Sequence, residues 1–98
     1  NWTIRDKEIT WSVDFDLEKA SDIDRAREII LEKAGGHSQV LKDRPLSVQL
    51  VSSRNAELIL RLEMSVPGRN VASAVGNEIR EAVIKEFEAR GILPTPLP

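Results

Sequence analysis

Three runs in which apolar residues alternate with polar ones, and two stretches in which apolar residues recur every three or four positions, predict an α+β fold of two layers. Along the chain these come in the order strand, helix, strand, strand, helix, followed by an extended tail. Each strand has a single apolar face, so helices laid on that face would close one core and leave the other face to water.

The first run is Ile9, Trp11, Val13 and Phe15, with Thr10, Ser12 and Asp14 between them. It predicts a strand over residues 7–16 with its apolar face inward. Ser21-Asp22-Ile23-Asp24 has the composition of a helix start, with Ser21 as N-cap and the carboxylates in the first turn, where the helix dipole favours them. Ile23, Ala26, Ile30 and Ala34 then form one apolar stripe. Gly35-Gly36 supplies a left-handed stop.

Leu46, Val48 and Leu50 alternate with Ser47 and Gln49 in a second strand after Pro45. The polar turn Ser52-Ser53-Arg54-Asn55 leads to Leu58, Leu60, Leu62, Met64 and Val66, interleaved with Ile59, Arg61, Glu63 and Ser65. Two alternating runs across a short polar turn predict a hairpin, and Pro67-Gly68 ends it. Val71, Val75, Ile79, Val83 and Phe87 keep a four-residue spacing, which predicts a helix over residues 71–90 with Gly91 closing it. In the tail, proline at 94, 96 and 98 removes backbone donors, so the segment is a poor central strand but a plausible extended connector.

A strand, helix, strand connection calls for parallel first and second strands joined by a right-handed crossover, with the third strand antiparallel between them. Both helices then share one face. Ser12, Asp14, Ser47, Gln49, Arg61 and Glu63 occupy the other. The expected architecture is a ferredoxin-like two-layer sandwich over residues 7–91, with room for a displaced last edge strand.

Composition narrows the function classes. The 98 residues, 41% hydrophobic and 31% charged, suit one small domain. A chain of this size buries roughly 65% of its unfolded surface, enough for a single core but not for a deep enclosed pocket. The net charge of −2 and pI of 5.4, with both signs interspersed, lack the basic face that a nucleic-acid partner requires. Trp11 and Phe15 are in phase with the buried face and there is no tyrosine, so a base-stacking sheet of the RNA-binding kind is not expected either. Without cysteine there is no disulfide and no thiolate ligand or nucleophile. The longest apolar stretches, such as Ile29-Ile30-Leu31, fall far short of the ~20 residues of a membrane helix, and no signal-peptide pattern is present.

The residues that can carry chemistry have structural explanations at hand. Asp14, Asp16, Glu18, Asp22 and Asp24 are a cluster of hard-cation ligand types, yet Asp22 and Asp24 suit a helix start and the others a solvated edge. His37 is the only histidine, in the loop Gly36-His37-Ser38, and is expected to be exposed without a partner. Arg61 with Asn55 and Arg54 offers the Arg/Asn pairing of an acylphosphatase, but no Gly-rich phosphate loop precedes a helix. Trp2 precedes the first strand and has no core to enter, so it is expected to pack against an upstream part. No catalytic, cofactor or metal site is expected, and the chain is not expected to be an enzyme.

Asn1-Trp2-Thr3, a strand, and then Ser21-Asp22-Ile23-Asp24-Arg25-Ala26-Arg27-Glu28-Ile29-Ile30 resemble the small-conductance mechanosensitive channel family. In that family an Asn-aromatic-Ser/Thr element closes the middle β-domain before the C-terminal α/β domain opens. Val40-Leu41-Lys42-Asp43-Arg44-Pro45 is similar to the family's approach to its second strand. Phe87-Glu88-Ala89-Arg90-Gly91-Ile92-Leu93-Pro94-Thr95-Pro96 is similar to its helix end and proline-spaced exit. The match spans essentially the whole chain, through the order and spacing of these motifs.

The resemblance implies a homoheptameric, tension-gated channel protecting cells under osmotic stress, whose C-terminal part is a hollow cage beneath the inner membrane. Residues 1–6 would then end the upstream middle β-domain, 7–91 form a wall of the cage, and 92–98 connect to a barrel strand. The partners would be identical subunits, with the membrane reached only through upstream helices. Mixed charges at Asp14, Asp16, Arg61 and Glu63 are candidates for the surface facing the cage or its portals, and Trp2 for packing between domains. The sequence departs from the family pattern in having no pore helices, in stopping at Pro98 before the barrel strand, and in the turn Ser52-Ser53-Arg54-Asn55-Ala56-Glu57, where the family has a glycine. The alternative is a ferredoxin-like regulatory or small-ligand-binding module that pairs through its strand edges.

Overall fold

The computed structural model describes residues 8–52 and 58–92. They form β1 (Ile9–Leu17), a short 3-10 turn (Ala20–Asp22), α1 (Ile23–Gly35), β2 (Ser47–Ser52), β3 (Leu58–Val66) and α2 (Arg69–Ala89). The sheet has the order β1-β3-β2, with β3 antiparallel to both neighbours. Thus β1 and β2 point the same way with β3 between them, as the alternation and the connecting helix require.

Register puts like with like. Val13 and Val48 flank Leu62, and Phe15 and Leu50 flank Leu60, all on one face. The helices cover that face. Leu60, Leu62, Met64 and Val66 are buried completely, against Ala26, Ile30 and Ala34 of α1 and Val75, Ile79 and Val83 of α2. Burying a Leu, Ile or Val side chain contributes about 1.5–3 kcal/mol, so β3, central and covered by both helices, is the keel of the domain.

Three local expectations are corrected. Ser21 is not the N-cap: the turn at Ala20–Asp22 draws it into helical backbone, and Lys19 takes the extended conformation before it. Asp22 stands at the N-cap position of α1, but with helical dihedrals (φ −92°, ψ −3°) and no side-chain cap bond. Its carboxylate turns instead to Arg25 at 3.0 Å. Second, Gly35-Gly36 is not a left-handed stop. Gly36 keeps φ −89°, and the helix end is closed by Gly36 N–H to Glu32 O (3.0 Å) and His37 N–H to Ala34 O (3.2 Å).

Third, Leu50 is not core: it remains 45% exposed. It lies on the edge strand β2, where Arg27 of α1 reaches over only as far as the Val48 carbonyl (3.4 Å). At the other end of the domain the expected glycine stop is present. Gly91 has φ 75°, Ile92 N–H bonds Phe87 O at 2.8 Å and Gly91 N–H bonds Glu88 O at 3.2 Å. This doubly bonded turn is the Schellman motif, in which glycine takes the left-handed position at no steric cost.

One close approach escaped the sequence. The helix α2 passes so near β1 that a Cβ on Gly76 would stand 2.9 Å from Trp11 Nε1 and 3.2 Å from its Cδ1. Gly76 is buried in the middle of α2, where glycine is otherwise unfavourable by about 1 kcal/mol relative to alanine. The space it leaves is what the half-buried Trp11 ring uses.

Candidate functional site

The four charged residues singled out on the open sheet face lie together there. Asp14 on β1 is directly opposite Arg61 on β3, and the guanidinium grips the carboxylate with two bonds, Nε to Oδ1 at 2.9 Å and NH2 to Oδ2 at 3.2 Å. The hydrogen bond to Asp14, and then its charge, hold the Arg61 guanidinium above its ordinary range. Asp16 and Glu63 lie two residues from Asp14 and Arg61 on the same face, and both are exposed. Three carboxylates therefore surround one arginine that is already committed to one of them, a poor arrangement for capturing an anion. Arg54, Asn55 and Trp2 lie outside the described residues.

Between the outer edge of β1 and α2 lies a cleft of about 320 Å³ lined by Asp14, Phe15, Asp16, Arg80, Ile84, Phe87, Glu88 and Ile92. Its floor is an edge-to-face pair, Phe15 and Phe87, with ring centroids 6.1 Å apart at 64°. Arg80 sits over the Phe15 ring at 5.7 Å and donates to the Asp14 backbone carbonyl at 3.2 Å. Arg80, Ile84 and Glu88 follow at four-residue spacing, which stacks them along one side of the helix. Ile84 is 50% exposed. The spacing was visible in the sequence, but nothing there showed that this side of α2 would meet a strand edge.

His37 is neither fully exposed nor without a partner. Its side chain is 16% exposed, and Nε2 lies 2.6 Å from Glu78 Oε1 on α2. Nδ1 accepts the Gln39 N–H at 3.0 Å, which assigns the ring proton to Nε2 as donor to the carboxylate. Both ring nitrogens are engaged, so the imidazole has no free lone pair for a metal or for a proton taken from a substrate. Its geometry ties the loop after α1 to α2. A partner 41 residues away cannot be read from local spacing.

The remaining carboxylates disperse. Asp22 pairs with Arg25, and Asp24 with Arg27 at 3.3 Å. Among the described residues no group of three or more His, Cys, Asp or Glu side chains converges on a point that would hold a metal ion. Nor is any described helix long and apolar enough to cross a membrane. Comparison with models of known protein families and with curated proteins finds no match to the chain.

Proposed function

We propose that this chain is a wall domain of the vestibule of a tension-gated channel, contributing to assembly and solute filtering rather than to the pore. The observation that carries this reading is the agreement between the motif order of the sequence and the architecture. The strands stand in the order β1-β3-β2, and the chain leaves α2 through a Gly-Ile stop that opens the proline-spaced segment. We take the arrangement to be ferredoxin-like, with a right-handed crossover through α1. In the assembled protein, seven identical subunits would enclose a cage on the cytoplasmic side of the inner membrane. The charges at Asp14, Asp16, Arg61 and Glu63 would then bias solutes passing the open face through the local field.

The experiment is survival of a sudden fall in osmolarity. Cells lacking their own tension-gated channels, and expressing the complete protein that contains this domain, are expected to survive the shock. Equal lysis with and without the protein, at matched membrane expression, would refute the proposal. A second reading, a small-ligand-binding module, is favoured by the cleft at Phe15 and Ile84, whose 320 Å³ is at the small end of ligand sites. A thermal-shift screen tests it, because a ligand bound only by the folded state at 100 times its Kd stabilises by about 2.7 kcal/mol.

A further inference from the structure

We propose that the cleft between β1 and α2 binds a small amphiphilic cation, a primary ammonium on a short arm attached to an aromatic or similarly broad apolar body. The proposal rests on the small-ligand reading of this cleft given above and adds the chemical class of the ligand.

The cleft offers apolar surface that the fold has left uncovered. Its floor is the Phe15–Phe87 pair with the buried Ile92, and its helix wall carries Ile84. Two large apolar side chains stay exposed among the described residues, Leu50 and Ile84, and Ile84 is the one that lines this cleft. The volume of about 320 Å³ equals roughly ten water-sized volumes. A molecule that fits therefore has on the order of ten non-hydrogen atoms.

The charges are separated along the cleft. Arg80 and Glu88 stand two turns apart on α2, about 12 Å, with Ile84 between them. At the Arg80 end the positive charge is in use. The guanidinium lies 5.7 Å from the centre of the Phe15 ring and donates to the Asp14 carbonyl at 3.2 Å, while the Asp14 carboxylate is held by Arg61. At the other end the negative charge is not in use. Glu88 on the helix wall and Asp16 on the strand wall are exposed, and neither carboxylate has a partner among the described residues. Arg90 bonds Glu86 instead, at 2.8 Å, and Lys85, one turn before Glu88, makes no ion pair with it. Because α2 ends at Ala89, the negative end of the helix dipole adds to the same pole.

An ammonium suits this pole. It has three donors and no acceptor. Glu88 accepts from one wall and Asp16 from the other, where its backbone carbonyl points to the same side of β1 as that of Asp14, since the side alternates along a strand. The apolar body then lies over Ile84 and Phe87 toward Phe15. An anion of the same shape would meet two carboxylates, with the one arginine already engaged. A neutral molecule would leave both carboxylates unmatched. The lysine arm of another protein would bring the charge, but it is too narrow to cover two rings and an isoleucine, so the occupant is a free molecule.

Titration of the 98-residue chain, followed by amide NMR shifts, tests this with phenethylammonium as the probe. Phenethyl alcohol, hydrocinnamate and butylammonium are the comparisons. Phenethylammonium is expected to give saturable shifts at Phe15, Ile84, Phe87 and Glu88, and to bind at least about fivefold more tightly than each of the others. Fivefold is roughly the effect of one unit charge 4 Å away in water. Glu88→Gln, at an exposed position, should weaken the ammonium about fivefold and leave the alcohol unchanged, with unaltered Leu60 and Leu62 amides reporting an intact core. In the unaltered chain, added salt should likewise weaken the ammonium and not the alcohol.

Equal affinity for the alcohol or for hydrocinnamate overturns the charge assignment, and equal affinity for butylammonium overturns the apolar body. Shifts confined to the open face around Arg61, or a Glu88→Gln variant that binds as before, also overturn the proposal. If none of the four molecules binds, the proposal fails, and the thermal-shift screen decides the reading beneath it. A hit of another chemical class that shifts the same amides keeps the cleft as a ligand site, whereas a screen without hits refutes both.

Discussion

Replacing Gly76 by alanine should destabilise the protein, although alanine is the better helix former by about 1 kcal/mol. The reason is the Trp11 ring. A Cβ at position 76 would stand 2.9 Å from Nε1 and 3.2 Å from Cδ1, and a packed indole is not the free end of a flexible chain. Overpacking of this kind costs about 1–3 kcal/mol. Offset by the propensity gain, the net loss is on the order of 1 kcal/mol. For a domain of this size that corresponds to a fall in Tm of about 4–8 °C. The decisive assay is a double-mutant cycle by thermal or urea denaturation. In a Trp11→Ala background the obstacle is gone, so Gly76→Ala should there raise stability by about 1 kcal/mol. The change of sign is a coupling between positions 11 and 76 of roughly 1–3 kcal/mol. If Gly76→Ala stabilises the unaltered chain and the Trp11→Ala variant equally, Trp11 does not lie against α2 as described.

Leu62→Ala removes a completely buried side chain from the central strand and should cost about 2–5 kcal/mol in urea unfolding, whereas Leu50→Ser, at a 45% exposed edge position, should stay within about 0.5 kcal/mol. Gly91→Ala meets no neighbour within 4 Å, so its loss reflects the left-handed backbone alone. That loss should be about 1–2 kcal/mol and should be the same with or without Trp11. In Glu78→Ala the Gln39 amide, which donates to His37 Nδ1, should exchange faster while the Leu60 and Leu62 amides do not change. Unaltered exchange at Gln39 would mean that Glu78 does not hold the ring.

What the sequence made legible is what repeats locally. The period of two placed Val13 and Phe15 inward on β1 and Leu60, Leu62 and Met64 inward on β3, and the spacing of four placed Val75, Ile79, Val83 and Phe87 under α2. Gly91 announced its own turn, because only a residue without Cβ takes that backbone freely. Leu50 misled, since alternation tells which face a residue takes and not how far the opposing layer reaches. Gly35 and Gly36 misled because two glycines permit a left-handed stop without requiring one. Ser21 lost its capping role to a 3-10 turn that composition does not encode. The features that define the candidate site are long-range: Glu78 meeting His37, Arg80 meeting the Asp14 carbonyl, and Trp11 meeting Gly76 each join elements far apart in the chain. Side-chain type suggested the charges of the open face, but only the cross-strand register paired Asp14 with Arg61.

A domain of this kind belongs, on the reading proposed above, to a channel that opens under membrane tension. Patch-clamp recording of the complete protein in a membrane free of other tension-gated channels addresses that directly. A stepwise conductance that appears with suction and vanishes on its release is the expected result. A protein well inserted in the membrane that passes no current up to the tension at which the patch ruptures would contradict it.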